Sequence, residues 1–260
     1  MRSFIAAFKM LLFFVWSIII VPPQILIMVF HKGQHAYHLP YIWHKGVCLI
    51  FRLKVKVEGQ PERKRQTMYV SNHLSYLDIP VIGTVLKASF VAKKDVAKWP
   101  VFGFLSKMQQ TAFIDRSRSA IAKEANALDN MVARGKSLII FPEGTSTDGR
   151  SVLPFKSSLF SLALQDGKNL MMQPFTIKMD LVDGSPPETQ ALKDLYSWHR
   201  DMDTELHTHL WLFAKSKGAV ISLHFHDTLE TLDFQDRKTL AKVCENKVSQ
   251  ELNVKSALAA

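Results

Sequence analysis

From Met10 to Phe30 the chain passes through twenty-one positions without an ionisable side chain. One straight helix of that length reaches roughly 31 Å, the thickness of a hydrocarbon core. Pro22 and Pro23 stand inside the run, and each removes a backbone donor and crowds the carbonyl four residues back, which predicts a kink or break near Val21. Two arrangements follow: a span, or a bent, partly inserted hairpin. The hairpin's return limb would be Tyr41 to Leu53, with Tyr41 and Trp43 at the interface and His44, Lys45 and Arg52 reaching head groups. A secretory leader is disfavoured because no small-residue cleavage site follows the apolar run.

Leu53 to Glu58 then alternates apolar and charged residues, the period of a half-buried strand. The polar stretch Gly59 to Gln66, with Pro61, divides the chain into residues 1–58, a membrane-associated hairpin or anchor with the first strand, and residues 67–260, an α/β domain. Within the latter, strands are expected at Met68 to Ser71, Ser89 to Ala92, Ala112 to Ile114, Leu138 to Phe141, Met172 to Ile177 and Val220 to His226. Helices are expected at Ile79 to Leu86, Ala120 to Ala133, Ser157 to Leu164 and Phe234 to Leu252. Such interleaving predicts an α/β fold, a mixed, mainly parallel sheet flanked by helices, with function in the loops that leave strand ends.

Composition narrows the class. With 47% apolar and 22% charged residues, the chain is neither disordered nor of low complexity. Cys48 and Cys244 lie far apart and match no metal or redox spacing, which suits a reduced compartment. The net charge is +10, and residues 1–66, with ten Lys/Arg against two Glu, hold +8 of it. A basic excess beside the most apolar stretch points to a membrane rather than to nucleic acid, whose binders carry the charge on the folded domain.

Two loops carry the candidate chemistry. In Ser71-Asn72-His73-Leu74-Ser75-Tyr76-Leu77-Asp78, His73 and Asp78 would stand about 140° apart on a continuous helix. They meet only if His73 lies in the turn and Asp78 in the first helical turn, a start that Pro80 tolerates. So placed, Asp78 accepts one imidazole N–H and fixes the tautomer while His73 takes a proton from a substrate hydroxyl. A competing reading makes Asp78 the acid of a capping box begun by Ser75. In the second loop, Phe141-Pro142-Glu143-Gly144-Thr145-Ser146, Gly144 permits close backbone approach and the hydroxyls of Thr145 and Ser146 can hold a polar head group. Glu143 either accepts a substrate hydroxyl or braces the turn. Lys94, Lys98 and Arg116 stand near strand ends, where they would face an anionic substrate or simply solvent.

Other chemistries find little support. The histidines His31, His35, His38 and His44 have no acidic or cysteine partner close by for a metal site, and His224 and His226, which share one strand face and could bind metal as a pair, read sooner as a surface pair or acyl-groove lining. No Gly-x-Ser-x-Gly elbow, Gly-x-Gly-x-x-Gly turn or P-loop occurs, so neither a hydrolase triad nor a bound nucleotide cofactor is expected.

The order of the pieces adds more than each alone. Asn72-His73-x4-Asp78, Lys94-Asp95-x2-Lys98-x-Pro100-x2-Gly103, Phe113-Ile114-Asp115-Arg116, Phe141-Pro142-Glu143-Gly144-Thr145 and Gln173-Pro174 together closely resemble the glycerophospholipid acyltransferase family, typified by 1-acylglycerol-3-phosphate acyltransferase. The resemblance covers residues 67 to 180. It implies transfer of a fatty acyl group from coenzyme A or acyl carrier protein to a lysolipid hydroxyl, with His73 as general base, Asp78 as its orienter and no cofactor or metal. Phe113, Asp115, Arg116, Glu143, Gly144 and Thr145 would bind the acceptor, beside Asn72, Lys94 and Lys98 of the same blocks. If the apolar segment spans, the basic loop after it puts the main domain on the cytoplasmic side, which with the resemblance predicts a bacterial inner-membrane protein. One departure bears on the acceptor: many members carry Arg where this chain has Ser146, so either Arg150 substitutes or the acceptor has no phosphate. The stretch Tyr196 to Asp203, with His209-Leu210-Trp211, looks like a bacterial subset that includes lyso-ornithine lipid acyltransferases. The expectations are therefore lysophosphatidate acylation to phosphatidate, acylation of another lysolipid such as lyso-ornithine lipid, or a non-catalytic lipid-binding module.

Overall fold

A computed structural model describes residues 1–30, 34–115, 128–165 and 170–254. Strands β1 (Leu53–Glu58), β2 (Thr67–Ser71), β3 (Ser89–Lys93), β4 (Ala112–Ile114), β5 (Leu138–Ile140), β6 (Met171–Val182), β7 (Ala219–Phe225) and β8 (Leu229–Glu230) form one sheet. Their order is β1-β7-β6-β2-β5-β3-β4, with β8 beside β6. The pairings of β6 with β7 and β8 are antiparallel and the others parallel, so the sheet is mixed and mainly parallel, as expected. Central strands β2 and β5 are buried at every position, as a sheet covered on both faces requires. Alternate residues of β2 feed two cores: Tyr69 joins Phe175 and Ile177 on one face, while Met68 and Val70 join Met172 and Val248 on the other.

Strand β1, grouped above with the N-terminal segment, pairs in parallel with β7 from Leu53↔Ala219 to Glu58↔His224, so the polar stretch after it links two strands of one sheet. Strand β6 runs five residues past the expected Ile177 because β7 pairs along it to Val182 through a bulge near Met179. The helix expected from Ser157 to Leu164 is a 3-10 helix over Ser157–Leu162. Of the helix expected over Ala120 to Ala133, residues 128–133 are helical and the remainder lies outside the described residues.

The N-terminal segment departs most from expectation. Helix α1 (Arg2–Phe30) continues through Pro22 and Pro23 without the expected break, then returns through a 3-10 turn into α2 (His38–Phe51). Tertiary contacts along its whole length hold it. Lys9 Nζ donates to the Ser216 carbonyl (2.9 Å), Trp16 Nε1 to that of Trp43 (3.1 Å), and Gln24 Nε2 to those of Ala36 (2.9 Å) and Met108 (2.8 Å). The absent Cβ of Gly46 lets the Trp16 indole sit against α2. His44 does not reach head groups: it is 3% exposed, packs against Gly83, and burial pushes its pKa down to about 3. The outer face of α1 exposes Phe4, Phe8, Leu11, Ile18 and Leu26, and the helix is long and apolar enough to cross a membrane by length and composition.

Candidate active site

Strand β2 delivers the chain to a loop pinned from both sides. The Asn72 amide donates to the Ile177 carbonyl (3.0 Å) and its oxygen accepts the Ile177 N–H (2.8 Å), which fixes the loop to β6. Asn72 is 1% exposed and therefore braces the loop rather than facing a ligand. The next helix, α3 (Asp78–Gly83), opens on a fully buried Asp78. Its Oδ2 lies 2.8 Å from His73 Nδ1 and also accepts the N–H groups of Leu74 (2.7 Å) and Ser75 (3.0 Å). The capping-box reach-back and the His–Asp pair, alternatives on paper, are the same carboxylate serving both. Because Nδ1 faces a carboxylate it carries the proton, which leaves the Nε2 lone pair free for a reacting group.

The second loop locks onto the first. Glu143, 2% exposed, accepts the His73 N–H at Oε1 (3.0 Å) and the Leu153 N–H at Oε2 (3.3 Å), while the Thr147 N–H donates to the His73 carbonyl (2.9 Å). It braces the turn. Burial raises its pKa to about 8, against the pull of those two donors. Gly144 holds φ +76°, a conformation that glycine adopts without strain, and so turns the chain back toward the cleft. Phe141 stacks on the His73 ring (centroids 4.1 Å apart, 13° between planes) and limits its rotation.

His73, Gly144, Thr145 and Ser146 line a cleft of about 510 Å³. The other expected contacts lie elsewhere. Asp115 and Lys94 pair at 3.4 Å on the surface, and Lys98 is exposed outside the cleft lining. Phe113 is half-buried in β4 and outside the lining, and Arg116 lies outside the described residues. Arg150, whose side chain is 61% exposed, bonds Asp148 (3.1 Å) and Gln190 (2.5 Å). Ser146 Oγ donates to the Trp198 carbonyl (2.5 Å). The cleft mouth has its own cations, Lys93 and Arg200, beside His199. Outside the cleft lining, His224 Nδ1 lies 3.2 Å from Glu58 and 3.7 Å from Glu251, and His226 bonds Thr176.

The residues that close the site from behind stand out in the sequence only as marks of a bacterial subset, with no place in the site. Tyr196, fully buried at the end of α4 (Gln190–Tyr196), donates its hydroxyl to Asp78 Oδ1 (2.9 Å), so both carboxylate oxygens are engaged. Two residues on, the Trp198 N–H donates to the Leu74 carbonyl (3.0 Å). Tyr76 hydrogen-bonds His209 of α5 (Leu206–Lys215), whose Nε2 faces the Asp194 carbonyl and so carries the proton; the tyrosine is therefore the donor to Nδ1 (2.9 Å). Tyr76, Ile79, Val96 and Trp99 are shared between the cleft and an apolar cavity of about 110 Å³ closed by Phe13, Trp43, Val47 and Phe51 of the hairpin. No local periodicity marks Tyr196, since its partner is 118 residues away.

Residues 53–178 match the family model described as Acyltransferase. The lyso-ornithine lipid O-acyltransferase of Rhodobacter capsulatus is 36% identical over 214 residues, 81% of this chain and 74% of that protein. The enzyme of the same name from Brucella abortus is 31% identical over 89% of this chain and 88% of its own length. The 1-acyl-sn-glycerol-3-phosphate acyltransferase of Neisseria meningitidis is 29% identical over 78% and 76%. Among solved structures, the 1-acyl-sn-glycerophosphate acyltransferase of Thermotoga maritima shares the fold, with a TM-score of 0.67 and 22% identity over 99% of this chain and 98% of that one.

Proposed function

The chain belongs to the acyltransferase family, and on that premise we propose that it is a membrane-associated lysolipid O-acyltransferase whose general base is His73. The observation that carries this reading is the His73 Nδ1 to Asp78 Oδ2 contact of 2.8 Å at the wall of an open cleft. His73 Nε2 takes the acceptor hydroxyl proton as that oxygen bonds to the carbonyl carbon of a coenzyme A or acyl carrier protein thioester. The carbon–sulfur bond then breaks and the departing thiolate takes the proton from the imidazolium. No covalent enzyme intermediate is required. The apolar cavity behind Tyr76 and Trp99 takes an aliphatic chain, which brings the hairpin into the site as its far wall.

The hairpin also fits an interfacial seat. Its contacts with the domain at Lys9 and Gln24 run along α1, and a span perpendicular to the bilayer would pull them apart. The exposed apolar face instead rests in one leaflet, with the domain on the cytoplasmic side where soluble thioester donors are found.

For the acceptor, Ser146 is bound to the Trp198 carbonyl and Arg150 to Asp148 and Gln190, so neither brings a cation to the cleft. That favours lyso-ornithine lipid, the substrate in the names of the Rhodobacter and Brucella relatives. Lysophosphatidate is the second reading, carried by Lys93 and Arg200 at the cleft mouth. The purified protein, incubated with labelled acyl donors and both lysolipids, is expected to turn over lyso-ornithine lipid faster. His73→Ala should lower that rate by roughly 10²- to 10⁴-fold. Turnover that survives the substitution would defeat the base assignment, and tight lipid binding without turnover would make the protein a recruitment module.

A further inference from the structure

A second concavity, of about 500 Å³, lies at the other end of the hairpin and shares no lining residue with the catalytic cleft. Its walls are the end of α2, the start of β1, the Gly184 turn after β6 and the turn before β7. Three of its lining residues, Arg52, Lys54 and Lys217, are exposed cations, and among the described residues none of the three side chains forms an ion pair. A Cβ on Gly184 would meet Lys217 Cδ at 3.5 Å and Nζ at 4.0 Å, so this ammonium folds over the turn rather than away from it.

The surroundings reinforce the charge. Lys9 is 4% exposed, and its pKa is lowered first by burial and then by Arg52, which places the guanidinium within electrostatic reach of a second, buried cation. Asp183 is the acid that faces this group, and it is shared: Arg2 lies 3.9 Å from its Oδ2 and the Lys217 backbone N–H donates to its Oδ1 (2.8 Å). The carboxyl end of α2 offers only about half a negative charge, and the Arg52 N–H already contacts the carbonyls of Cys48 and Leu49 there. Arg52 also holds φ +57°, the helix-ending conformation for which glycine is the usual residue, so a charged side chain is kept where backbone strain argues against it.

What lies next to the pocket selects the ligand. Leu49, 80% exposed, lines it, and the other limb of the hairpin exposes Phe4 and Phe8 at 78% and 53%. With that surface in a leaflet, the reading proposed above, the pocket opens at head-group depth. We propose that it binds the phosphate of an anionic membrane phospholipid through Arg52, Lys54 and Lys217, and so seats the hairpin on charged bilayers.

The test compares the full-length protein with an Arg52→Gln/Lys54→Gln/Lys217→Gln variant and with Arg134→Gln/Arg237→Gln/Lys238→Gln, which removes the same charge elsewhere. Partition is measured onto phosphatidylcholine vesicles with and without phosphatidylglycerol, and activity is measured in detergent to verify folding. At about fivefold per cation, the pocket variant should lose on the order of a hundredfold in partition onto the anionic vesicles and nothing on the neutral ones, with detergent activity retained. The charge-matched control should change little. Equal losses in the two variants would reduce the pocket to unspecific surface charge and overturn the proposal. Calorimetric binding of inorganic phosphate that the pocket variant abolishes, with vesicle partition unchanged, would likewise overturn it in favour of a soluble anion. Wild-type protein that ignores neutral vesicles but keeps the gap between variants on anionic ones would remove the leaflet reading and leave the site standing.

Discussion

The two ends of the catalytic cleft are built to different standards. At the base end, Asp78 is fully buried and accepts from an imidazole, two backbone N–H groups and a tyrosine hydroxyl, and Glu143 ties the two loops together from beneath. The Ser75 hydroxyl is the exception, buried without a partner. At the mouth the cations Lys93 and Arg200 are long and exposed, and the Arg200 side chain, 83% exposed, lies 3.7 Å from Asp201. Buried charge-assisted hydrogen bonds are worth about 1.5–3 kcal/mol each, whereas exposed ion pairs contribute about 0–1 kcal/mol. The molecule therefore holds the His73–Asp78 pair firmly and the charged side chains at the cleft mouth loosely. In such a site the chemistry is common to a family while the acceptor can change through a few surface residues.

The sharpest probe of the rigid end is Glu143. Burial lifts its pKa to about 8 from the ordinary 4.5, so the folded protein keeps a proton that the unfolded chain releases. Stability from this group is complete below pH 4.5, falls by about 1.4 kcal/mol per pH unit above it, and is gone once the pH passes about 8. Glu143→Gln removes the titration, and the drop in melting temperature between pH 5 and pH 8 should shrink markedly. An equal drop in both proteins would mean that the carboxylate is already ionised by its two N–H donors and that the brace is an anion. A smaller effect is expected at Tyr196. Tyr196→Phe keeps the packing and deletes one donor to Asp78, which should lower kcat/KM about tenfold, the equivalent of one charge-assisted hydrogen bond. The less neutralised carboxylate should also move the acidic limb of the pH–rate profile upward; a lower rate with an unmoved limb would assign Tyr196 to packing alone.

How legible this was depends on the range over which each feature is determined. β1, β2, β3 and β4 start and stop within a residue of the expected positions, because alternation and turn residues are local signals. The His73–Asp78 pair was legible for the same reason, five residues carrying the whole geometry. The continuity of α1 was not, since two prolines predict a break and only contacts from Lys9 and Gln24 to distant carbonyls override it. His44 reads as an interfacial residue from its neighbours, and its burial comes from α3, which no local pattern foretells. Tyr196 belongs to the same class: a hydroxyl meets a carboxylate only once the sheet has brought them together.

The loose end of the cleft makes the weakest prediction in size and the most useful one for the acceptor. If Arg150 stood in for the arginine that many family members carry beside the Glu-Gly-Thr turn, it would grip a phosphate through a planar fork, and truncation would cost on the order of a hundredfold with lysophosphatidate alone. Its observed partners are Asp148 and Gln190, and its side chain is 61% exposed. An exposed arginine so placed contributes under about 1 kcal/mol, so Arg150→Ala should change kcat/KM by no more than about threefold, and equally for lysophosphatidate and lyso-ornithine lipid. A collapse confined to the phosphate-bearing acceptor would show that this side chain swings into the cleft when substrate arrives. The head-group end would then be as purposefully built as the base.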